Sequence, residues 1–244
     1  MRKPAFTTLL ISTLIAAASA QDFGWAMRGE PQNPGDVAGF FPIGWACAEP
    51  GRGACAEPGR GAVNGNLFAY ATFDYSMSIA TSCNLSVSVR DMVTDKLVWW
   101  YTRGWEESLR GEGDDPAPPR SAGTAWDLSA HEVLPQLLKL GIAPGGPAAP
   151  DEFPVEEGGD ALTLEILEPE DGDFTVRINS ERLGGKVIAK EHKSDPQNRL
   201  SVLGYYRSPQ NPRIAVVLRE ELSRRRGYAS YYVIGCHLKS GFRR

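Results

Sequence analysis

The sequence has few of the residues and motifs on which enzymes most often rely. Its 244 residues include three histidines and four cysteines. It has no Cys-x-x-Cys pair, no Gly-x-Ser-x-Gly nucleophile turn and no Gly-rich phosphate loop. These absences remove the usual signatures of redox proteins, hydrolases and nucleotide-binding enzymes. Because the sequence also contains no recognisable ligand set, we expect no cofactor and no metal ion.

Positive charge is also scarce, since 26 Lys and Arg residues stand against 30 Asp and Glu residues. Binding to nucleic acid normally shows as a basic excess, so the formal charge of −4 disfavours a nucleic-acid partner. Beyond the N-terminus, no apolar run approaches the length of a membrane span. We therefore expect no membrane span, and the sequence carries no sign of a particular oligomeric state.

Residues 1–20 have the three parts of a secretory signal peptide. Arg2 and Lys3 precede an apolar run, and Ala18-Ser19-Ala20 forms a small-residue cleavage site before Gln21. Cleavage there removes two basic residues and no acidic ones, which takes the formal charge from −4 to −6. We expect the mature protein in the periplasm or in the external medium of a bacterium.

The mature chain, residues 21–244, has a length that all-β proteins often reach as one domain. We expect two sheet-forming halves, at residues 21–110 and 155–244, joined by linkers and one short helix within residues 111–154. The fold class is mainly β, with antiparallel sheets arranged as a sandwich or as incomplete propeller-like blades. About ten strands would barely fill three four-stranded blades, so we do not expect a closed propeller.

Residues 64–101 give the clearest strand signals. An Asn-Gly turn opens an aromatic-rich run, and Leu85, Val87 and Val89 then alternate with polar residues, which is the period of a half-buried strand. A short turn precedes a third run, so the stretch predicts an antiparallel meander. The strands expected along the chain lie at residues 37–45, 67–75, 85–90, 97–101, 161–167, 174–178, 186–190, 200–206, 214–218 and 228–238.

One short helix is predicted near residues 129–140. Ser129 and Glu132 have the spacing of a capping box, an apolar face follows, and Gly141 ends the run. Pro135 removes a backbone donor and is expected to kink or shorten this helix.

The octapeptide ACAEPGRG occurs twice in tandem, at residues 46–53 and 54–61. Its Gly, Pro and charged residues favour neither strand nor helix, and lengthening a surface loop costs little entropy. We interpret the duplication as an expanded surface loop. The alternative is a repeated loop that binds a metal or another ligand.

Two runs, GNLFAY at residues 65–70 and VSVRDMVTDKLV at residues 87–98, resemble bacterial predicted secreted proteins of domain-of-unknown-function family 2259. Residues 137–145, 214–218 and 232–235 look like the middle and end of that family. In proteins of that kind a short turn usually precedes the strand that begins here at Leu67, whereas in this chain the duplicated octapeptide lies just upstream of Asn64-Gly65. The resemblance implies secretion and a β fold, and it assigns no catalytic residue.

Four aromatic residues are the best candidates for a binding surface: Trp99, Trp100, Tyr101 and Trp105. Consecutive residues of a strand point to opposite faces, so Trp99 and Trp100 cannot share one core. One of them needs a second cover, which is either the predicted helix or a partner or sugar.

The cysteines of an exported chain are usually oxidised, and Cys83 and Cys236 lie in or beside predicted core strands. We therefore predict a disulfide between them. Cys47 and Cys55 occupy equivalent positions in the duplicated octapeptide, so one is a copy of the other. They either pair with each other or remain labile.

The remaining candidates for chemistry have structural explanations. His131-Glu132 begins like a zinc-protease helix, but the second His of that motif is absent. A cluster of four acidic residues fits no calcium loop and suits a solvated hairpin turn. Its members are Glu168, Glu170, Asp171 and Asp173.

The sequence is compatible with two functions from different classes. The favoured one is an exported, non-catalytic module that binds a protein partner or an envelope component through a β surface. The alternative is a cell-envelope hydrolase in which acidic residues meet His192 or His237 only in the fold. A His or a carboxylate pair in a concave pocket would favour the enzyme, whereas an exposed aromatic patch would favour the binding module.

Overall fold

The computed structural model describes residues 38–46, 65–77, 81–106, 118–142, 149–169, 171–223 and 228–243. Within these residues the protein is mainly β, with eleven strands in three antiparallel sheets, one helix and no closed barrel. The predicted signal peptide, the duplicated loop after its first residue Ala46, with Cys47 and Cys55, and Glu170 lie outside the described residues.

Each sheet is a meander, in which strands that follow one another in the chain are also hydrogen-bonded neighbours. The first sheet contains β1 Ala38–Trp45, β2 Leu67–Met77, β3 Thr81–Asp91 and β4 Lys96–Glu106. Helix α1, Ala122–Lys139, comes next in the chain. The second sheet contains β5 Val155–Glu157, β6 Asp160–Leu167, β7 Asp173–Ser180 and β8 Gly184–His192. The third contains β9 Arg199–Arg207, β10 Arg213–Glu221 and β11 Ala229–His237.

The third sheet is the central layer, because both of its faces are buried. On β10, Ile214, Val216 and Leu218 pack with residues of the second sheet. Ala215 and Val217 pack with residues of the first sheet on the opposite face. A strand covered on both faces needs a continuous apolar run, which explains why this segment has no polar residue between positions 214 and 218.

The helix completes a stack of four layers. Trp126, Val133 and Leu137 of α1 are fully buried and pack against Leu85 and Val87 of β3, on the face of the first sheet that points away from the third. The order of layers is therefore helix, first sheet, third sheet and second sheet. Such packed layers are sandwich-like, which is one of the two arrangements that the sequence left open.

All ten predicted strands are present, and the structure adds β5, which the sequence did not indicate. This strand has only three residues. It pairs with β6, with Val155 opposite Leu162 and Glu157 opposite Asp160. A strand this short is too brief to show a period of two.

The helix begins earlier than predicted. Ser121 is the N-cap, and its hydroxyl oxygen accepts a hydrogen bond from Thr124 N at 3.2 Å. Ser129 is instead buried inside the helix, so the predicted capping box is wrong. The physical reason is that the apolar face already includes Trp126, one turn before Ser129. Pro135 lies within the helix and does not end it.

The turn between β3 and β4 holds the first sheet against the third. Gly235 N of β11 donates a hydrogen bond to Asp95 Oδ1 at 2.6 Å, and Arg213 Nη1 donates to Met92 O at 3.1 Å. A Cβ on residue 235 would lie 2.2 Å from Met92 O, so this approach requires glycine. The contact fixes the spacing between the two sheets.

Candidate functional site

The third sheet covers only part of the face that the first sheet turns toward it. Phe40, Phe68 and Tyr70, on β1 and β2, pack with Tyr206 of β9. Among the described residues, no apolar side chain of β3 or β4 joins this cluster. Those strands instead present a partly to fully exposed surface, which we call the open face. Its residues are Asn84, Ser86, Ser88, Trp100 and Thr102.

Of the four aromatic residues predicted as a binding surface, only Trp100 lies on the open face. Trp99, Tyr101 and Trp105 point to the opposite side and pack against the core beneath α1. The helix is therefore the cover for Trp99, with Tyr101 stacked on it at 6.4 Å between ring centroids. Trp100 is 63% exposed, the highest value among the large apolar side chains that the structure describes.

The strand register arranges the open face in rows that continue onto β2. From β4 to β2, the rows are Trp100, Ser88 and Tyr70; Thr102, Ser86 and Thr72; and Gly104, Asn84 and Asp74. In the second row, Ser86 Oγ lies 3.1 Å from Thr102 Oγ1. In the third, a Cβ on Gly104 would approach Asn84 Oδ1 to 2.7 Å, so the amide occupies the space above the glycine.

A cleft of about 240 Å³ lies where the open face meets the third sheet, and we call it the Asp74 cleft. It is lined by Tyr70, Thr72, Asp74 and Ser88 of the first sheet and by Ala229, Ser230 and Tyr231 of the third. Hydroxyl groups dominate this lining, with one carboxyl among them. Because Ser88 belongs to both surfaces, the open face and the cleft are continuous.

Among the described residues that line the cleft, Asp74 is the one whose pKa is strongly shifted. Burial raises the pKa of its carboxyl from 3.8 to about 6, and within the described part of the chain no hydrogen bond or cation offsets that effect. Around pH 6 the group therefore exchanges between carboxylate and carboxylic acid. In the acid form it both donates and accepts hydrogen bonds.

A larger cavity, of about 390 Å³, lies beside the β5–β6 hairpin and the end of β11. The one acidic residue of its described lining, Glu157, is already paired. Glu157 forms ion pairs with Lys239, at 3.2 Å, and with Arg207. Arg182, which also lines the cavity, has its Nε 4.0 Å from the carboxylate of Asp160, a buried residue outside the lining. These pairs give the cavity a structural explanation.

The histidines do not line either cavity. His192 Nδ1 lies 2.7 Å from Asp173 Oδ1, but both side chains are more than three-fifths exposed at the end of the β7–β8 hairpin. His131 lies 3.6 Å from Glu132 on the surface of α1. Burial lowers the pKa of His237, and the nearby cations Arg213, Lys186 and Lys239 lower it further.

The described members of the acidic cluster make structural contacts in and beside the turn between β6 and β7. Asp171 Oδ1 accepts a hydrogen bond from Asp173 N at 3.3 Å, and Glu168 pairs with Lys193 at 3.0 Å. Across the described ranges, no three His, Cys, Asp or Glu side chains are grouped so that they would hold a metal ion.

Glu220 is a buried carboxylate that no sequence motif singles out. It accepts hydrogen bonds from Ser194 N and Oγ, from Asn198 Nδ2 and from Tyr232 Oη, at 2.6 to 2.8 Å. Burial by itself would raise the pKa of Glu220, but the hydrogen bonds from Asn198, Ser194 and Tyr232 outweigh burial and lower it. The carboxylate ties the loop before β9 to β10, so its role is structural.

The predicted disulfide between Cys83 and Cys236 is absent from the structure, in which both are free, buried thiols. Cys83 packs beneath α1, whereas Cys236 packs between the second and third sheets. The first and third sheets lie between them, and packed sheets are about 10 Å apart, beyond the reach of a disulfide. Burial raises the pKa of Cys83 to about 11 and also raises that of Cys236.

No family model, curated protein or solved structure matches the chain. The resemblance to domain-of-unknown-function family 2259 therefore stays a prediction. No helix among the described residues combines the length and the apolar character needed to cross a membrane.

Proposed function

We propose that the chain is an exported, non-catalytic protein that binds a partner or an envelope component on its open face. The observation that supports this best is the 63% exposure of Trp100 on a paired strand. Burying a Trp side chain stabilises a fold more than burying almost any other, so folding alone gives no reason to keep this one in water. Trp is also enriched among the residues that dominate binding energy at interfaces.

The strand that carries Trp100 is itself an edge. Among the strands that the structure describes, β4 pairs only with β3, and Leu97 and Val98 on it are each 47% exposed. A long edge strand with exposed apolar side chains attracts other molecules unless something protects it. A binding partner that covers this edge explains why its apolar side chains are exposed in the free protein.

An envelope hydrolase, the alternative function, has weaker support. Such an enzyme needs a His or a pair of carboxylates in a concave site. The pair formed by His192 and Asp173 is exposed, and the described lining of the Asp74 cleft has one carboxyl and no His.

Site-specific photo-crosslinking in the source bacterium tests the proposal. A photoreactive amino acid at position 102, on the open face beside Trp100, is expected to give a discrete adduct in the exported fraction. The adduct should disappear when Trp100→Ala is combined with the probe. Because Val187 is 51% exposed on β8, the same probe at position 187 is the matched control and should give no adduct.

Three results would contradict the proposal. The first is equal crosslinking from positions 102 and 187, and the second is crosslinking that Trp100→Ala leaves unchanged. The third is a protein that keeps residues 1–20 and stays inside the cell. N-terminal mass analysis of the recovered protein decides the last of these.

A further inference from the structure

We propose that the open face and the Asp74 cleft form one site for a neutral oligosaccharide. This inference rests on the proposed binding function and names the chemical class of its ligand.

The two surfaces form one continuous path. Ser88 is the cross-strand neighbour of Trp100 and also lines the cleft, so no wall separates the aromatic ring from the carboxyl. Trp100 and Asp74 are two strands apart across the sheet and two rows apart along it. Strand spacing and rise place their Cα atoms roughly 16 Å apart. A ligand that contacts both residues is therefore longer than one sugar ring.

The functional groups along this path match those of a chain of sugar rings. A flat indole offers an apolar surface to the C–H face of a pyranose ring, and its exposure leaves that surface accessible. Each sugar hydroxyl both donates and accepts hydrogen bonds. The hydroxyls of Thr72, Ser88 and Ser230, the amide of Asn84 and the carboxyl of Asp74 supply both kinds of partner.

The charges of the site favour a neutral ligand over an anionic one. No Lys or Arg is among the described residues that line the cleft, and the whole chain carries a formal charge of −4. Arg90 is the nearest cation on β3, and it is already engaged. It donates to Tyr70 Oη at 3.2 Å and to Asp95 O at 3.1 Å. Among the described residues of the cleft, the one charged group that a phosphorylated or uronic glycan would meet is the carboxyl of Asp74.

The composition of the path disfavours two other classes of ligand, a protein and a cationic amine. Protein interfaces are depleted in Ser and Asp, whereas this site has Ser86, Ser88, Ser230 and Asp74 around a single exposed aromatic residue. A cationic amine would be drawn to Asp74, but it would leave the hydroxyls and the amide without matching groups. Only a polyhydroxylated chain uses every part of the path.

Calorimetric titration of the mature protein with neutral trisaccharides tests the inference. The panel contains oligomers of glucose, galactose, mannose and N-acetylglucosamine, with spermidine and trigalacturonate as the cationic and anionic comparators. We expect at least one neutral trisaccharide to bind and neither comparator to compete. Trp100→Ala and Asp74→Ala should each weaken binding by about tenfold or more.

Val187→Ala is the matched control, since Val187 is exposed on a different sheet, and it should leave the affinity unchanged. Circular dichroism of each variant must match that of the wild type. Binding of no neutral trisaccharide, or of spermidine or trigalacturonate alone, overturns the inference, as does binding that both site variants retain.

The two proposals fail in different ways. If a protein adduct forms at position 102 and requires Trp100, but no sugar binds, the binding function stands and the sugar assignment falls. If neither an adduct nor sugar binding is found, both proposals fall.

Discussion

Replacing Asp74 by Asn is expected to stabilise the protein at mildly alkaline pH and to have no effect on stability in acid. The carboxyl sits in a cleft where burial is opposed by no cation and no hydrogen bond among the described residues. Its ionised form is therefore costly in the folded state. An amide has nearly the same shape and carries no charge, so it removes the cost without leaving a cavity.

The pKa of Asp74 sets the size and the sign of this effect. Burial raises that pKa from 3.8 to about 6, a difference that corresponds by linkage to about 3 kcal/mol. Because Asp74 is only partly buried, solvent screening reduces this figure, and we expect Asp74→Asn to gain about 1 to 2 kcal/mol. The folded pKa lies above the unfolded one, so the wild type has its full stability below pH 3.8. It loses stability as the pH rises and reaches the full loss above about pH 6.

Denaturant unfolding of the wild type and of Asp74→Asn, at about pH 3 and about pH 8, measures the difference. The matched control is Asp127→Asn, since Asp127 is an exposed carboxyl on α1, and it should show no such pH-dependent gain. A variant that is less stable than the wild type at both pH values would refute the reasoning. An equal gain at both pH values would also refute it, because a gain from lost charge must vanish in acid.

Three further predictions concern the frame around the site. Glu220→Gln should destabilise the protein by about 1 to 3 kcal/mol at neutral pH, because it weakens hydrogen bonds to a buried charge. In denaturant titrations this loss of stability should shrink below pH 4.5, because folding lowers the pKa of Glu220 from that value. Gly235→Ala should cost about 2 kcal/mol or more in thermal unfolding, because its Cβ would lie 2.2 Å from Met92 O, and an unchanged melting temperature would contradict the fixed sheet spacing. Cys83 and Cys236 should resist alkylation in the native protein and react fully in denaturant without reductant; a peptide map that links them would contradict the structure.

The strands were predictable because their signals are local. Leu85, Val87 and Val89 alternate with polar residues, and all three are fully buried on one face of β3. The helix start was missed because Ser129 and Glu132 fit a capping box as well as Ser121 fits an N-cap. The choice between them depends on where Trp126 packs, and Trp126 is buried against the first sheet. That contact is tertiary.

The candidate site was predictable only in part, for the same reason. Trp100 had to face away from Trp99, so its separate position followed from the strand period alone. Asp74 did not stand out, although alternation already placed it on one face with Tyr70 and Thr72. Whether that face is buried, exposed or at the border of a cleft depends on where the third sheet ends. No pattern within β2 contains that information.

The open face follows from the numbers of strands in the layers. In the part of the chain that the structure describes, the third sheet has three strands and the first has four, and Asp95 and Gly235 hold the two together at the turn before β4. The smaller sheet covers β1 and β2 and leaves the facing side of β3 and β4 in solvent. Solvent exposure explains the Ser, Thr and Asn side chains on that side, since a wet face is normally polar. It does not explain Trp100. On a face that the fold leaves uncovered, a large aromatic side chain is the departure from the pattern, and departures of this kind are expected where function opposes folding.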